Sequence, residues 1–428
     1  MAKIRCIAVN KEQIEKYGCI GKKLTHSFSK EIHEKLADYE YRLIELNEED
    51  IPMFFQNRDF SAINVTIPYK QTVIPYIDSV SAIARRIGAV NTVINKNGTL
   101  YGYNTDYYGM KALIEKANIE LSGKKVLILG TGGTSKTAFA VASDSGAAEI
   151  LIVSRRKGNG LITYEEAISK HSDADVIINT TPCGMYPECE STPIDITHFY
   201  KLSGLIDAVY NPLSTNLVSD AKKRGIKAEG GLYMLVMQAV KAVEKFIDCE
   251  ISESKAQSVY SQILFSKENV ILIGMPGCGK STVGQLLNID GFEFFDTDVE
   301  IEKRCGCSIK ELIYEKGEKY FRDLETEVIR EISKECRRVI ATGGGAVLRK
   351  ENVDYLKRNG KLYFIDADIN RLFASDDRPL SDTREKLEKL YSERIEIYRT
   401  VADFIIPDML SPEEIAQLIL KKRTELKP

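Results

Sequence analysis

Short apolar runs rich in β-branched residues recur along the chain, and most are followed by a stretch with helical spacing of apolar positions. In the first 265 residues the runs fall at 62–67, 90–94, 126–129, 150–153, 176–179 and 205–209. Beyond them they fall at 270–273, 293–295, 338–341, 361–365 and 403–406. Strands alternating with helices predict an α/β fold with a largely parallel sheet in each half. The most apolar helical stretch, 232–246, gives way to the polar segment DCEISESKAQS (248–258) and a last short helix ending near Phe265. This places a domain boundary at about residue 266. There is no internal repeat and no low-complexity tract.

Length sharpens that division, because 428 residues at about 150 per domain call for two or three folded units. The 59 Lys+Arg and 62 Asp+Glu nearly cancel to a net −3, so no basic field exists to hold a phosphate backbone, and nucleic acid is excluded as principal partner. No run approaches the ~18 apolar residues of a membrane helix. The charged start MAKIRCIAVNKEQIEK lacks the apolar core of a signal peptide. These features predict a cytoplasmic protein without a membrane partner, while leaving homo-oligomerisation open. Nine cysteines without a C-x-x-C pair predict reduced thiols. All four histidines (26, 33, 171, 198) lie in the first 200 residues, so the second half must work without imidazole.

Two glycine loops follow β-branched runs. In the first, Gly130-Thr-Gly132-Gly133 lies between VLIL and a helix start, the context in which a pyrophosphate can approach backbone amides at a helix N-terminus. Ser135 stands where a third glycine would complete the fingerprint, and a plain tight turn remains an equal reading of the loop alone. The next strand ends in Ser154-Arg155-Arg156-Lys157. Cations there suit a 2′-phosphate, hence NADP over NAD, against the plainer reading of a solvated basic turn.

The first 110 residues carry polar clusters: Thr25-His26-Ser27-Phe28-Ser29, Asn64-Val-Thr66-Ile-Pro-Tyr-Lys70, Gly88-Ala-Val-Asn91-Thr92 and Gly102-Tyr-Asn104-Thr105-Asp106. Singly these are ordinary loops. Together they hold the hydroxyls, amides, lysine and carboxylate needed to grip a small polyhydroxylated acid. In this order, continued by Asn179-Thr-Thr-Pro-Cys-Gly-Met185, Asp207-Ala-Val-Tyr210-Asn-Pro and Gly231-Leu-Tyr-Met-Leu-Val-Met-Gln238, they resemble shikimate dehydrogenase over nearly all of residues 18–265.

That resemblance implies NADPH-dependent, reversible reduction of 3-dehydroshikimate to shikimate. It implies that Ser27 and Ser29 bind the substrate carboxylate with help from Tyr210. Thr66, Asn91 and Gln238 would hold ring hydroxyls, with Lys70 and Asp106 as the catalytic pair. Gly130, Gly132, Gly133, Ser154, Arg155, Arg156 and Met185 would hold the cofactor. A lysine held by a carboxylate suits this chemistry, since hydride delivery to a carbonyl builds charge on oxygen and needs a positioned proton donor. His26 and His33 are expected to be structural. The chain departs from the family at Lys30, at Ser154 and in a short segment between Lys157 and Asp175.

The second loop, Gly274-Met-Pro-Gly277-Cys278-Gly279-Lys280-Ser281-Thr282, follows NVILI and fits G-x-x-x-x-G-K-[ST]. Its amides would cradle ATP phosphates, with Lys280 on the β/γ oxygens and Ser281 on Mg²⁺. The strand FEFF ends in Asp296-Thr-Asp298, predicting Asp296 towards Mg²⁺ and Asp298 towards the acceptor hydroxyl. Downstream come a capping box at Ser308–Glu311, Arg322 and Glu325 three residues apart, Gly343-Gly344-Gly345, Arg378-Pro-Leu and Arg394. In order, these resemble shikimate kinase over residues 268–410. The resemblance implies phosphorylation of the shikimate 3-hydroxyl. Arg322, Arg394, Gly344 and Gly345 would hold the carboxylate, Asp298 would orient or deprotonate the hydroxyl, and Arg378 would close over the phosphoryl group from a lid (368–381) that is short for the family.

The expected architecture is therefore a two-lobed dehydrogenase over 1–265, with a substrate lobe (about 1–105 plus 232–265) and a Rossmann-like NADP lobe (about 106–231). A P-loop kinase with a parallel sheet follows over 266–428. Two other readings stay open at this point. One joins a quinate/shikimate dehydrogenase to a kinase for another hydroxy acid such as gluconate. The other makes one half a regulatory module without turnover.

Overall fold

In the computed structural model, residues 17–24, 28–372, 383–407 and 410–425 are described. The runs at 62–65, 126–129, 176–179 and 270–273 become strands buried at every one of those positions, the arrangement that lets a strand be apolar throughout, while those at 150–153, 293–295 and 403–406 become strands that are only partly buried. Among the described residues no helix is long and apolar enough to cross a membrane, and the eight described cysteines are free.

The first sheet uses β1 (Tyr17–Gly21), β2 (Tyr41–Glu45), β3 (Ala62–Val65), β4 (Ser79–Val80), β5 (Thr92–Lys96) and β6 (Thr99–Tyr103) in the order β2-β1-β3-β5-β6-β4. It differs from the expected parallel sheet. β5 runs antiparallel to both β3 and β6, because β5 and β6 form a hairpin closed at Asn97-Gly98, both with positive φ. Ile20, Ile63, Val65, Val93 and Leu100 are buried in its core with Phe55 and Tyr69.

The second sheet follows expectation. Its strands β7 (Lys125–Leu129), β8 (Glu149–Val153), β9 (Leu161–Ile162), β10 (Val176–Asn179) and β11 (Gly204–Asp207) pair in the order β11-β10-β7-β8-β9, all parallel. The strand order reverses direction at β7, the switch point where a doubly wound fold opens its ligand crevice. The short segment between Lys157 and Asp175 keeps a two-residue β9 and the helix Tyr164–Lys170. A further strand, β12 (Lys227–Glu229), follows the helix Asn216–Lys223.

The last sheet is β14-β15-β13-β16-β17, with β13 (Asn269–Ile273), β14 (Glu293–Asp296), β15 (Arg338–Ala341), β16 (Gly360–Asp366) and β17 (Phe404–Pro407). Every ladder is parallel. Val270, Ile271, Leu272 and Ile273 are completely buried at its centre.

By contact the chain resolves into two compact units that do not follow chain order. One is Met1–Thr181, Thr197–Ala208 and Tyr233–Tyr260; the other is Pro182–Ile196, Val209–Leu232 and Ser261–Pro428. Inside the second unit, Arg358, with a side chain only 2% exposed, pairs with Glu190 at 3.0 Å. It also donates to Asn216 Oδ1 at 3.0 Å. Asn359 Oδ1 accepts from the Leu213 amide at 2.9 Å, and Lys223 pairs with Asp354 at 2.8 Å. These polar contacts explain why two stretches from the first 265 residues group with the last 168.

Candidate active sites

In the first unit, β3 leads into a turn carrying Lys70, while Asp106 opens the helix Asp106–Lys116. Lys70 Nζ lies 2.5 Å from Asp106 Oδ2, with both side chains largely shielded from solvent. The other carboxylate oxygen accepts from Asn91 Nδ2 at 2.9 Å, so the aspartate is fixed at both ends. Asn91 Oδ1 in turn accepts the Thr105 amide at 2.7 Å. The Thr105 hydroxyl reaches Gln238 Oε1 at 3.4 Å. Asn91 and Gln238, expected to hold ring hydroxyls, thus converge on the pair, and Thr105 joins them. Thr105 was quoted only as part of a polar cluster; standing between Asn104 and Asp106, it offered no signal distinguishing it from a capping residue.

Thr66 sits half-buried at the end of β3, with its amide on the Ile20 carbonyl at 3.0 Å. Ser29 begins the helix Ser29–Leu36, and Ser27 lies outside the described residues. His33 is the structural histidine expected. It is fully buried, bonded through Nδ1 to Tyr39 Oη at 2.7 Å, and burial pushes its pKa down to about 3.

The first glycine loop stands beside this pair. Gly130 has φ +108, and a Cβ there would come within 2.9 Å of Thr180 Oγ1, so both backbone freedom and space require glycine. The helix Gly133–Asp144 begins directly after it. A Cβ on Gly133 would touch Lys70 Cδ at 4.0 Å, which places the helix N-terminus against the Lys70–Asp106 pair. Ser135, at the missing third glycine, is buried in the first helical turn. At the end of β8, Ser154 Oγ accepts the Arg156 amide at 3.2 Å. Arg155 and Arg156 are exposed, and neither has an ion pair among the described residues. The loop, the helix N-terminus and these free cations fit a phosphorylated dinucleotide. Met185 and Tyr210 fall in the second unit, where Met185 is exposed and Tyr210 half-buried.

The P-loop half encloses a cavity of about 480 Å³ lined by Gly277, Gly279, Lys280, Ser281, Thr282, Asp296, Asp298, Arg322, Gly344, Gly345 and Arg394. Residues drawn from five separate stretches of sequence therefore meet at the C-terminal edge of the sheet, where ligands bind in such folds. Lys280 Nζ donates to the Gly274 and Met275 carbonyls at 3.0 and 2.9 Å, spanning its own loop. Cys278, expected beside the nucleotide, instead turns its thiol inward. It is buried, and a Cβ on Gly274 would come within 2.8 Å of its sulfur. Any contact it makes with phosphate must come from its backbone.

Ser281 Oγ donates to Asp296 Oδ2, while Asp296 Oδ1 caps the helix Thr297–Cys305 through the Asp298 amide at 3.0 Å. Together the hydroxyl and carboxylate are oxygen donors of the kind that hold Mg²⁺ along with phosphates and water. Among the described residues no group of three or more His, Cys, Asp or Glu could hold a metal by itself.

Asp298 is half-buried, but its Oδ1 is shut off from solvent and has no hydrogen-bond partner. Burial, then the charges of Asp296 and Glu325, push its pKa up to about 7, against the opposing pull of Lys280 and Arg322. A carboxyl poised there suits proton acceptance near neutrality. Arg322 Nη1 donates to Glu325 Oε2 at 2.8 Å. The pair is buried, with Glu325 fully inaccessible and its Oε1 unpartnered. The glycine loop is fitted against both carboxylates: a Cβ on Gly343 would lie 2.6 Å from Asp298 Oδ1 and 2.7 Å from Glu325 Oε1. Arg394 is buried in the cavity wall. Arg378 lies outside the described residues. The expected capping box is present, with Ser308 accepting from the Glu311 amide at 3.2 Å.

Comparison with known proteins agrees with both sites. The family model for the shikimate dehydrogenase substrate binding domain matches residues 19–93, and that for shikimate kinase matches 276–424. An NADP⁺-dependent shikimate dehydrogenase of Clostridium beijerinckii is 38% identical over 265 residues, covering 58% of this chain and 97% of the relative. The crystal structure of shikimate dehydrogenase 1 from Peptoclostridium difficile aligns with TM-score 0.55 at 37% identity, covering 58% of this chain and 97% of that one. A Thermus thermophilus shikimate 5-dehydrogenase in complex with NADP(H) and shikimate aligns with TM-score 0.53 at 26% identity, covering 58% and 99%. Spanning such relatives almost end to end, and matched over its P-loop half by the kinase model, the chain belongs to the shikimate dehydrogenase family and carries a shikimate kinase domain behind it.

Proposed function

We propose that this chain catalyses two consecutive reactions: reversible NADPH-dependent reduction of 3-dehydroshikimate to shikimate, then ATP-dependent phosphorylation of the shikimate 3-hydroxyl. We assign the first to residues 1–265, with lobes of about 1–105 plus 232–265 and 106–231, and the second to 266–428. The observation that carries the reading is the presence of two such constellations in one chain. Lys70 and Asp106 stand against the Gly133 helix terminus, and Asp298, Arg322, Gly345 and Arg394 share the P-loop cavity.

When bound, NADPH supplies a hydride. Lys70, oriented by Asp106, stabilises the charge that grows on the substrate oxygen and delivers a proton to it. Asn91 fixes Asp106, while Ser27, Ser29, Thr66, Tyr210 and Gln238 orient the ring and its carboxylate. Gly130, Gly132 and Gly133 admit the pyrophosphate, Met185 packs beside the cofactor, and Ser154, Arg155 and Arg156 hold the 2′-phosphate, which favours NADP over NAD.

In the second site, Asp298 accepts the proton of the acceptor hydroxyl. Arg322, Arg394, Gly344 and Gly345 hold the carboxylate. Gly277, Cys278, Gly279, Lys280 and Thr282 cradle the nucleotide phosphates, and Arg378 covers the transferring group. Ser281 and Asp296 would hold Mg²⁺, which neutralises phosphate charge. Phosphoryl transfer needs mainly such positioning and charge stabilisation, so a half without histidine is equipped for it. We assign it to the cytoplasm, a compartment that supplies both NADPH and ATP.

The test is an assay of the full chain on both reactions. Shikimate should support NADP⁺ reduction and stimulate ATP consumption. NADP⁺ reduction with quinate but not shikimate would overturn the first assignment, and equal ATP consumption with gluconate or with no acceptor would overturn the second.

A further inference from the structure

The helix Arg384–Val401 delivers two side chains to the kinase site, Arg394 and, one turn later, Tyr398. Tyr398 is buried, and its ring stacks on Phe364 of β16 with centroids 5.1 Å apart and planes at 11°. Its hydroxyl donates to the Gly344 carbonyl. Burial raises its pKa far above the ordinary range, so the proton needed for that bond stays in place.

The loop it holds has no side chains with which to anchor itself. Besides this bond, the Gly343 amide is held by Thr297 Oγ1 at 2.8 Å. A displacement of Gly344 carries Gly343 towards Asp298 and Glu325, and Gly345 towards Arg322, because each glycine is already in contact with those groups. One hydroxyl thus ties the glycine loop to the helix that carries Arg394.

We infer that Tyr398 is a positioning residue of the kinase reaction, whose hydroxyl sets the Gly344–Gly345 loop and Arg394 at the separation that grips the acceptor carboxylate. The inference rests on the shikimate kinase reading above.

The test is Tyr398→Phe in the full chain, which keeps the stacked ring and removes only the hydroxyl. Loss of one such bond predicts a KM for shikimate raised about tenfold. The KM for ATP, the melting temperature and shikimate-dependent NADP⁺ reduction by the same chain should be unchanged. The preference for shikimate over its methyl ester, which lacks the charge to be gripped, should shrink in the variant. An unchanged KM for shikimate would overturn the inference. An equal loss on acid and ester would also overturn it, and so would a variant that unfolds, because the hydroxyl would then serve the fold and not the ligand. A wild-type chain that fails to phosphorylate shikimate would instead remove the kinase reading itself.

Discussion

The guanidinium of Arg322 fills the space over Gly345 that a side chain would need; a Cβ built on that glycine lands on the Nη atoms. Arg322 cannot retreat, because Glu325 holds it at 2.8 Å and its own carbonyl accepts from Arg349 at 3.0 Å. Gly345→Ala should therefore displace the arginine and lower kinase kcat/KM for shikimate on the order of a hundredfold, the scale of a misplacement near 1 Å. Steady-state kinetics on the full chain would check this, with NADP⁺ reduction as an internal control for folding. Unchanged kinase kinetics would mean that the close fit of loop to arginine is irrelevant to acceptor binding.

Asp298 is a costly residue to bury. Its Oδ1 has no hydrogen-bond partner and two further carboxylates raise its pKa. Asp298→Asn removes the charge at nearly constant volume, so it should raise the melting temperature by a few degrees at pH 8 while nearly abolishing phosphorylation. Calorimetry and an ATP-consumption assay on one preparation would read both effects; a variant that is inactive and less stable would contradict the claim that the carboxylate is retained for chemistry at the expense of the fold.

For the dehydrogenase, Lys70→Ala should lower kcat by roughly 10²- to 10⁴-fold, the usual contribution of a positioned proton donor. Asp106→Asn leaves a side chain of similar shape but removes the ion pair, and should lose activity with little change in stability. Kinase turnover by the same variants should remain at wild-type level. A loss of both activities would point to misfolding and refute a local catalytic role.

His33 supplies a prediction about pH. It is fully buried, with burial lowering its pKa from 6.5 to about 3. The unfolded chain therefore binds a proton below pH 6.5 that the folded chain refuses. The stability contributed by the neutral imidazole is present above pH 6.5 and is lost as pH falls from there towards 3. Denaturant titrations of His33→Phe should show a slope against pH smaller by about 1.4 kcal/mol per unit between pH 6 and 4. An identical pH slope in wild type and variant would mean that this histidine does not govern acid sensitivity.

How much could be read from sequence followed from which physical constraint each element obeys. β7 and β13 are continuous runs because both faces are covered. β1 was missed, since YGCIG offers two glycines and no run, although it is completely buried. β2 was missed because YRLIE exposes Arg42 and Leu43. The glycine loops were legible because their chemistry needs a fixed spacing along one stretch of chain. The burial of the Arg322–Glu325 pair was not, since a buried Arg–Glu pair and a surface one have the same spelling, nor was Tyr398, whose bond to Gly344 joins residues 54 positions apart. Nor could the grouping of residues 182–196 with the second unit be read, because Arg358 gives no sign in sequence that its partner is Glu190.

That ion pair gives two distant stretches of the gene a shared mutational fate. A guanidinium as buried as that of Arg358 is expensive to leave without its carboxylate, so substitutions at residue 190 are constrained by residue 358, and reversing one charge calls for reversing the other. A gene divided at codon 266 would assign the two members of the pair to separate polypeptides. Two separate halves would then have to form in trans a contact that the single chain makes within itself.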